Sequence, residues 1–100
     1  MGAQPERQAQ DAAAFYAQVR GRVQGVGFRY SATREAGRLG VKGWVRNAVN
    51  GDVEIWAEGS TGQLEAFSRW LRRGPQFARV DAVEQTERPP RGYTGFGVEY

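Results

Sequence analysis

Residues 41–58 read VKGWVRNAVNGDVEIWAE, two runs in which apolar and polar residues alternate on either side of Asn50-Gly51. Alternation at period two marks half-buried strands, and Asn-Gly supplies the positive φ that a tight hairpin needs. The register then decides which side chains share a face. A two-residue turn would set Val45 against Trp56 and Asn47 against Glu54, mixing core and solvent partners. A three-residue loop, Val49-Asn50-Gly51, with Gly51 left-handed in a bulged turn, pairs Gly43 with Ala57, Val45 with Ile55 and Asn47 with Val53. Lys42–Glu58, Trp44–Trp56 and Arg46–Glu54 then share the opposite, more exposed face. Because a slip of one residue exchanges the faces of a strand, this register predicts that Asn47 lies on the apolar, helix-covered face.

Upstream, FYAQVRGRV at 15–23 mixes aromatic and β-branched residues with polar ones, as a strand does. It runs into GRVQGVGFR at 21–29, a junction with three glycines, two arginines and no acid. Phe28, Ala32, Ala36 and Leu39 follow at helical spacing, and Gly40 is placed to cap the helix C-terminus. Downstream of the hairpin, Ser60 and Gln63 have capping-box spacing ahead of Leu64, Phe67 and Leu71, and Gly74-Pro75 ends that second helix. Residues 80–86 alternate as a fourth strand, 89–92 form a loop, and 96–100 supply a short fifth strand. The order β-α-β-β-α-β is an α+β, ferredoxin-like sandwich, an antiparallel sheet with two helices on one face and the short fifth strand at the C-terminus. In that topology strands one and two run parallel with strand three between them. The end of strand one, the start of helix one and the end of strand two therefore meet at one edge of the sheet, which brings Arg29 towards Asn47.

Composition removes many chemistries. The 100 residues make one domain, with 15–100 as the folded part and the Ala/Gln-rich residues 1–14 as a flexible tail. There is no cysteine and no histidine, which excludes disulfides, thiolate or Ser/His/Asp nucleophiles and the usual zinc sites. The formal net charge is +3, and 13 of the 14 basic residues are arginine, the side chain suited to bidentate grip on phosphate or carboxylate. The longest apolar run, 12–17, is too short to cross a bilayer, and residues 1–14 lack the pattern of a signal peptide. A monomer in the cytoplasm, without a membrane partner, is the expectation.

The glycine-rich junction is either a basic strand-to-helix turn or an anion site. As a site, the backbone N–H groups of Gln24, Gly25, Val26, Gly27 and Phe28, the start of the helix dipole and the Arg29 guanidinium would converge on the oxygens of a phosphate. The Gln24 side chain has a further option in capping the helix. Asn47 offers a neutral amide able to orient a water, although a buried amide can also serve only to satisfy the backbone. Such a set suffices for a substrate whose leaving group needs no protonation. An acyl phosphate leaves as a stable carboxylate, and phosphoryl transfer rests on positioning and charge stabilisation. Neither a metal nor an organic cofactor is called for.

GRVQGVGFR at 21–29 followed by G-W-V-R-N-x-x-N-G-x-V-E at 43–54 resembles the two signature segments of the acylphosphatase family. The similarity runs on through Ala57-Glu58-Gly59, Gly74-Pro75 and the closing Phe96-Gly97-Val98-Glu99-Tyr100, so it covers about residues 15–100. The resemblance implies that Arg29 and the loop amides bind phosphate, that Asn47 orients the attacking water, and that a substrate phosphate oxygen accepts the proton. It implies a small acyl phosphate as substrate, inorganic phosphate or sulfate as competing ligands, and a C-terminal Tyr100 carboxylate close to Arg29. Asn50 stands where aspartate is common in the family, and both suit the turn. Two alternatives remain: a domain that binds acyl or carbamoyl phosphate without turnover, and an RNA-recognition-like module. RGYTGFGVEY at 91–100 echoes the RNA-binding signature, but Thr94 and Gly97 shift its aromatics between faces, and it lies on the last strand instead of the third. No Gly-Lys-Ser/Thr follows the glycines, so a Walker-type loop is excluded.

Overall fold

The computed structural model describes residues 12–100. The tail expected at 1–14 falls mostly outside them. Strand β1 (Ala13–Arg22) leads through the glycine loop to helix α1 (Phe28–Leu39). The hairpin β2 (Lys42–Asn47) and β3 (Val53–Gly59) comes next, followed by α2 (Thr61–Arg73), β4 (Arg79–Arg88) and the short β5 (Phe96–Val98). The sheet order is β4-β1-β3-β2-β5. β3 lies antiparallel between β1 and β2, as the split βαβ pattern requires.

The hairpin register is the predicted one. Gly43 pairs with Ala57, Val45 with Ile55 and Asn47 with Val53. Ala48 N–H donates to Asp52 O at 2.8 Å, and Gly51 takes φ 98° within the three-residue loop. Gly43 is also fixed by space, since a Cβ there would stand 1.8 Å from the Trp56 carbonyl oxygen. The α2 capping box forms as expected: Ser60 Oγ accepts from Gln63 N, and Gln63 Oε1 accepts from Ser60 N.

Two boundaries and one pairing direction differ from the sequence expectation. β1 begins at Ala13 instead of Phe15, because Ala14 packs with Trp44 and Trp56 on the outer face of the sheet. β4 runs beyond 80–86 to Arg79–Arg88, following the length of β1 as its edge partner, with a bulge at Arg20/Gly21. β5 pairs with β2 in parallel, so the sheet is mixed and not wholly antiparallel. None of the helices among the described residues is long and apolar enough to cross a membrane.

Both helices cover one face of the sheet. There Phe28, Ala32 and Ala36 of α1 and Leu64, Phe67 and Leu71 of α2 meet Phe15, Val19, Val45 and Ile55. Phe28, Phe67, Ile55 and Leu71 are almost fully buried, each contributing about 1.5–3 kcal/mol by leaving water. The opposite face, expected to be the more exposed, is also covered in its middle. Trp44 is 9% and Trp56 3% exposed. The chain between β4 and β5 crosses them, with the Arg91 guanidinium carbon 4.2 Å from the Trp56 ring centroid.

Glu58 holds that crossing in place. Its buried carboxylate accepts from the indole Nε1 of Trp56 at 2.8 Å and from the backbone N–H groups of Arg91, Gly92 and Tyr93. Burial pushes the Glu58 carboxyl up, but the Trp56 indole and the three backbone donors together outweigh it and hold its pKa below the ordinary 4.5. A depressed carboxylate pKa adds stability that is present above about 4.5 and is lost as pH falls through the folded value. Glu58→Gln is therefore expected to cost about 2–3 kcal/mol at neutral pH. Denaturant melts at pH 7 and between pH 5 and 3, run on both proteins at about one-unit steps, should show the gap narrowing on acidification. A constant gap would mean that the carboxylate charge is not what Glu58 contributes.

Candidate active site

Where β1 ends, the chain must turn from strand to helix within residues 23–27. Gly25 (φ 76°) and Gly27 (φ 78°) both take the left-handed conformation, which L side chains adopt only with strain. Gly27 is the N-cap of α1 and offers no side-chain cap, and the first turn of the helix carries no acid. Among the described residues, the backbone N–H groups of 24–28 donate to no protein acceptor. Alternating glycines, a positive helix end and unpaired donors are the features from which anion nests are built.

The Gln24 side chain does not cap the helix. Its Nε2 donates to the carbonyls of Ala48 (2.8 Å) and Asp52 (2.9 Å), the residues that close the β2–β3 hairpin. The glycine loop is thus fastened to the loop that follows Asn47. Val26 packs partly buried against the core and anchors the middle of the turn, while Gly25 and Gly27 remain exposed on either side of it.

A cavity of about 360 Å³ opens at this edge of the sheet. Gly25, Gly27, Phe28, Arg29 and Asn47 all line it, so five of the seven expected site residues share one space. Gln24 and Val26 are not among its walls; their side chains are directed to the hairpin and the core. Asn47 is half-buried at the last position of β2, on the same face as Val45, as the register requires. No hydrogen bond among the described residues occupies its carboxamide, nor does any ion pair occupy the Arg29 guanidinium. The Arg29 carbonyl accepts from Thr33 Oγ1 at 2.9 Å within the first turns of α1.

Arg29 meets Tyr100 through the ring and not through the carboxylate. The guanidinium carbon lies 5.4 Å from the Tyr100 ring centroid, and among the described residues no ion pair joins the two. Parallel pairing explains how Tyr100 arrives there. Val45 is matched with Val98, and Glu99 N–H donates to Val45 O at 2.9 Å, so two residues further along Tyr100 comes beside Asn47. Sequence reasoning placed Tyr100 near the arginine only through the family resemblance. It gave no role to Tyr30, which also lines the cavity and is 67% exposed. An exposed aromatic next to a predicted ligand residue was the available signal.

Comparison with known proteins identifies relatives of the whole described domain. A family model described as Acylphosphatase matches residues 15–98. An acylphosphatase of Pseudomonas paraeruginosa is 54% identical over 83 residues, covering 83% of this chain and 91% of that protein. Among solved structures, an acylphosphatase from Coxiella burnetii superposes with a TM-score of 0.90 at 34% identity, covering 93% of this chain and 98% of that one. The acylphosphatase from Bacillus subtilis gives 0.85 at 39% identity over 88% and 99% of the two chains. With a family model matched over residues 15–98 and 54% identity over 83 residues to a relative covered to 91% of its length, the chain belongs to the acylphosphatase family.

Proposed function

We propose that the amides of residues 24–28 and the Arg29 guanidinium hold the phosphate of an acyl phosphate, and that Asn47 orients the water that hydrolyses it. The water oxygen attacks phosphorus, the bond from phosphorus to the acyl oxygen breaks, and a carboxylate departs with the electron pair. The water's proton passes to a phosphate oxygen, so the products are the carboxylate and inorganic phosphate. Because the leaving carboxylate is stable without protonation, the site needs no general acid. Its contribution is placement and charge, supplied by N–H dipoles and a guanidinium fixed before the reaction begins.

One observation carries this assignment: unpaired backbone donors, an arginine head group and an asparagine amide, none with a hydrogen-bond or ion-pair partner among the described residues, face a single cavity. A binding domain without turnover would need the nest and Arg29, but it would not need an amide held free beside them. Stacking of nucleobases on the sheet would need exposed aromatics, and Trp44 and Trp56 are buried. The catalytic unit in this assignment is residues 15–100, acting as a cytoplasmic monomer without metal or organic cofactor.

Hydrolysis of benzoyl phosphate but not of a simple phosphate ester is the primary test. Inorganic phosphate and sulfate should compete with substrate; a non-competitive pattern would place the anion elsewhere. Asn47→Ala should keep phosphate affinity while turnover falls by on the order of 10². Arg29→Ala should lose both, turnover by roughly 10³ or more. Full activity in the Asn47 variant would remove the oriented water from the mechanism. Gln24→Ala should destabilise the fold by about 1–2 kcal/mol through its two carbonyl contacts and weaken phosphate inhibition along with it. Unchanged melting would show that the loop does not depend on this bracket.

A further inference from the structure

Resting on that assignment, we propose that Tyr30 and Tyr100 form a subsite for the acyl group, selecting aromatic or bulky apolar acyl phosphates over small ones. The two rings are among the most exposed large side chains of the protein, 67% and 99%, and both border the cavity that holds Arg29 and Asn47. Large apolar faces left in water beside a cavity mark a surface made for a ligand more often than solitary exposed residues do.

The cavity is larger and more apolar than a phosphate requires. Its 360 Å³ lies within the range of roughly 300–1,000 Å³ typical of small-molecule sites. At about 30 Å³ for each water in the liquid, it could hold on the order of a dozen water-sized groups, several more than the five heavy atoms of a phosphate. The nest, Arg29 and Asn47 account for the anion. Val23 and Val98 add aliphatic wall, and the two tyrosines remain without a part in holding phosphate.

Neither ring is free to collapse onto the core. Tyr30 follows Arg29 on α1 and lies against the Arg34 guanidinium at 5.7 Å, while Tyr100 lies against Arg29 at 5.4 Å. Each cation engages an aromatic face and limits the directions open to the ring. Tyr30 sits beside the phosphate-binding arginine in sequence, and Tyr100 comes beside Asn47 through the β2–β5 pairing. An acyl group leaving from a phosphate held between Arg29 and Asn47 is thus flanked by aromatic surface at both ends of the catalytic pair.

The test compares benzoyl phosphate with acetyl phosphate. Tyr30→Ala should lower kcat/KM for benzoyl phosphate roughly two- to tenfold more than for acetyl phosphate. The inhibition constant of inorganic phosphate should stay as in the wild type, and Tyr30→Phe should restore the preference. Tyr100→Ala should reduce the same ratio. Equal losses for both substrates, or an unchanged ratio in both variants, would overturn the subsite. Titration with unreactive benzoylphosphonate and acetylphosphonate reads the discrimination without turnover. A wild-type protein that prefers the benzoyl analogue yet hydrolyses neither substrate would overturn the reaction and keep the subsite. Hydrolysis with no preference between the analogues would do the reverse.

Discussion

The pairing of β2 with β3 is the contact on which the site depends. Asn47 faces the cavity only because it is matched with Val53 and lies on the same side as Val45 and Gly43. A shift of one residue would turn its amide to the outer face and present Arg46 in its place. That register is fixed twice. The loop with left-handed Gly51 sets the turn, and the close approach of the Trp56 carbonyl at Gly43 leaves no room for any other residue in that ladder position. Once β2 is registered, β5 adds to its free edge in parallel and carries Tyr100 to the arginine. Asn47 and Tyr100 are thus both located by backbone hydrogen bonds, which tolerate less displacement than side-chain packing.

The chemistry fits the shortage of functional groups. Without histidine or cysteine, the chain offers backbone N–H groups, a guanidinium and a carboxamide, none of which has to gain or lose a proton in the step assigned to it. Such a site can act only on a bond already inclined to break. The geometry therefore restricts the substrate by its leaving group before it restricts it by shape. Gln24 has a supporting part in this, since its side chain joins the glycine loop to the hairpin that carries Asn47.

Much of this was legible in the sequence, and the failures have physical causes. Alternation around Asn50-Gly51, the Phe28/Ala32/Ala36 stripe and the Ser60/Gln63 box are local patterns, and each formed as written. The residues brought to one cavity followed from topology, which the order of elements determines. What was hidden depends on contacts between segments that share no periodicity. Trp44 and Trp56 look like an exposed cross-strand pair until the chain at 91–93 folds over them, and that crossing depends on a carboxylate, Glu58, that reads as a solvent residue. Helix capping was the local option open to the Gln24 side chain, and its true acceptors lie out of sight 24 and 28 residues away. The parallel direction of β5 could not be read from a three-residue strand with no pattern of its own.

Glu58 also bears on the cavity from the far side of the sheet. By gripping the N–H groups of Arg91, Gly92 and Tyr93, it fixes the chain three residues before β5 begins. A strand of three residues has little affinity for a sheet edge by itself. Tethered so closely, it meets β2 at a high effective concentration and pairs at small entropic cost. The wall that Tyr100 gives to the cavity is in this sense held by an anchor on the opposite face, one that borders no part of the cavity itself.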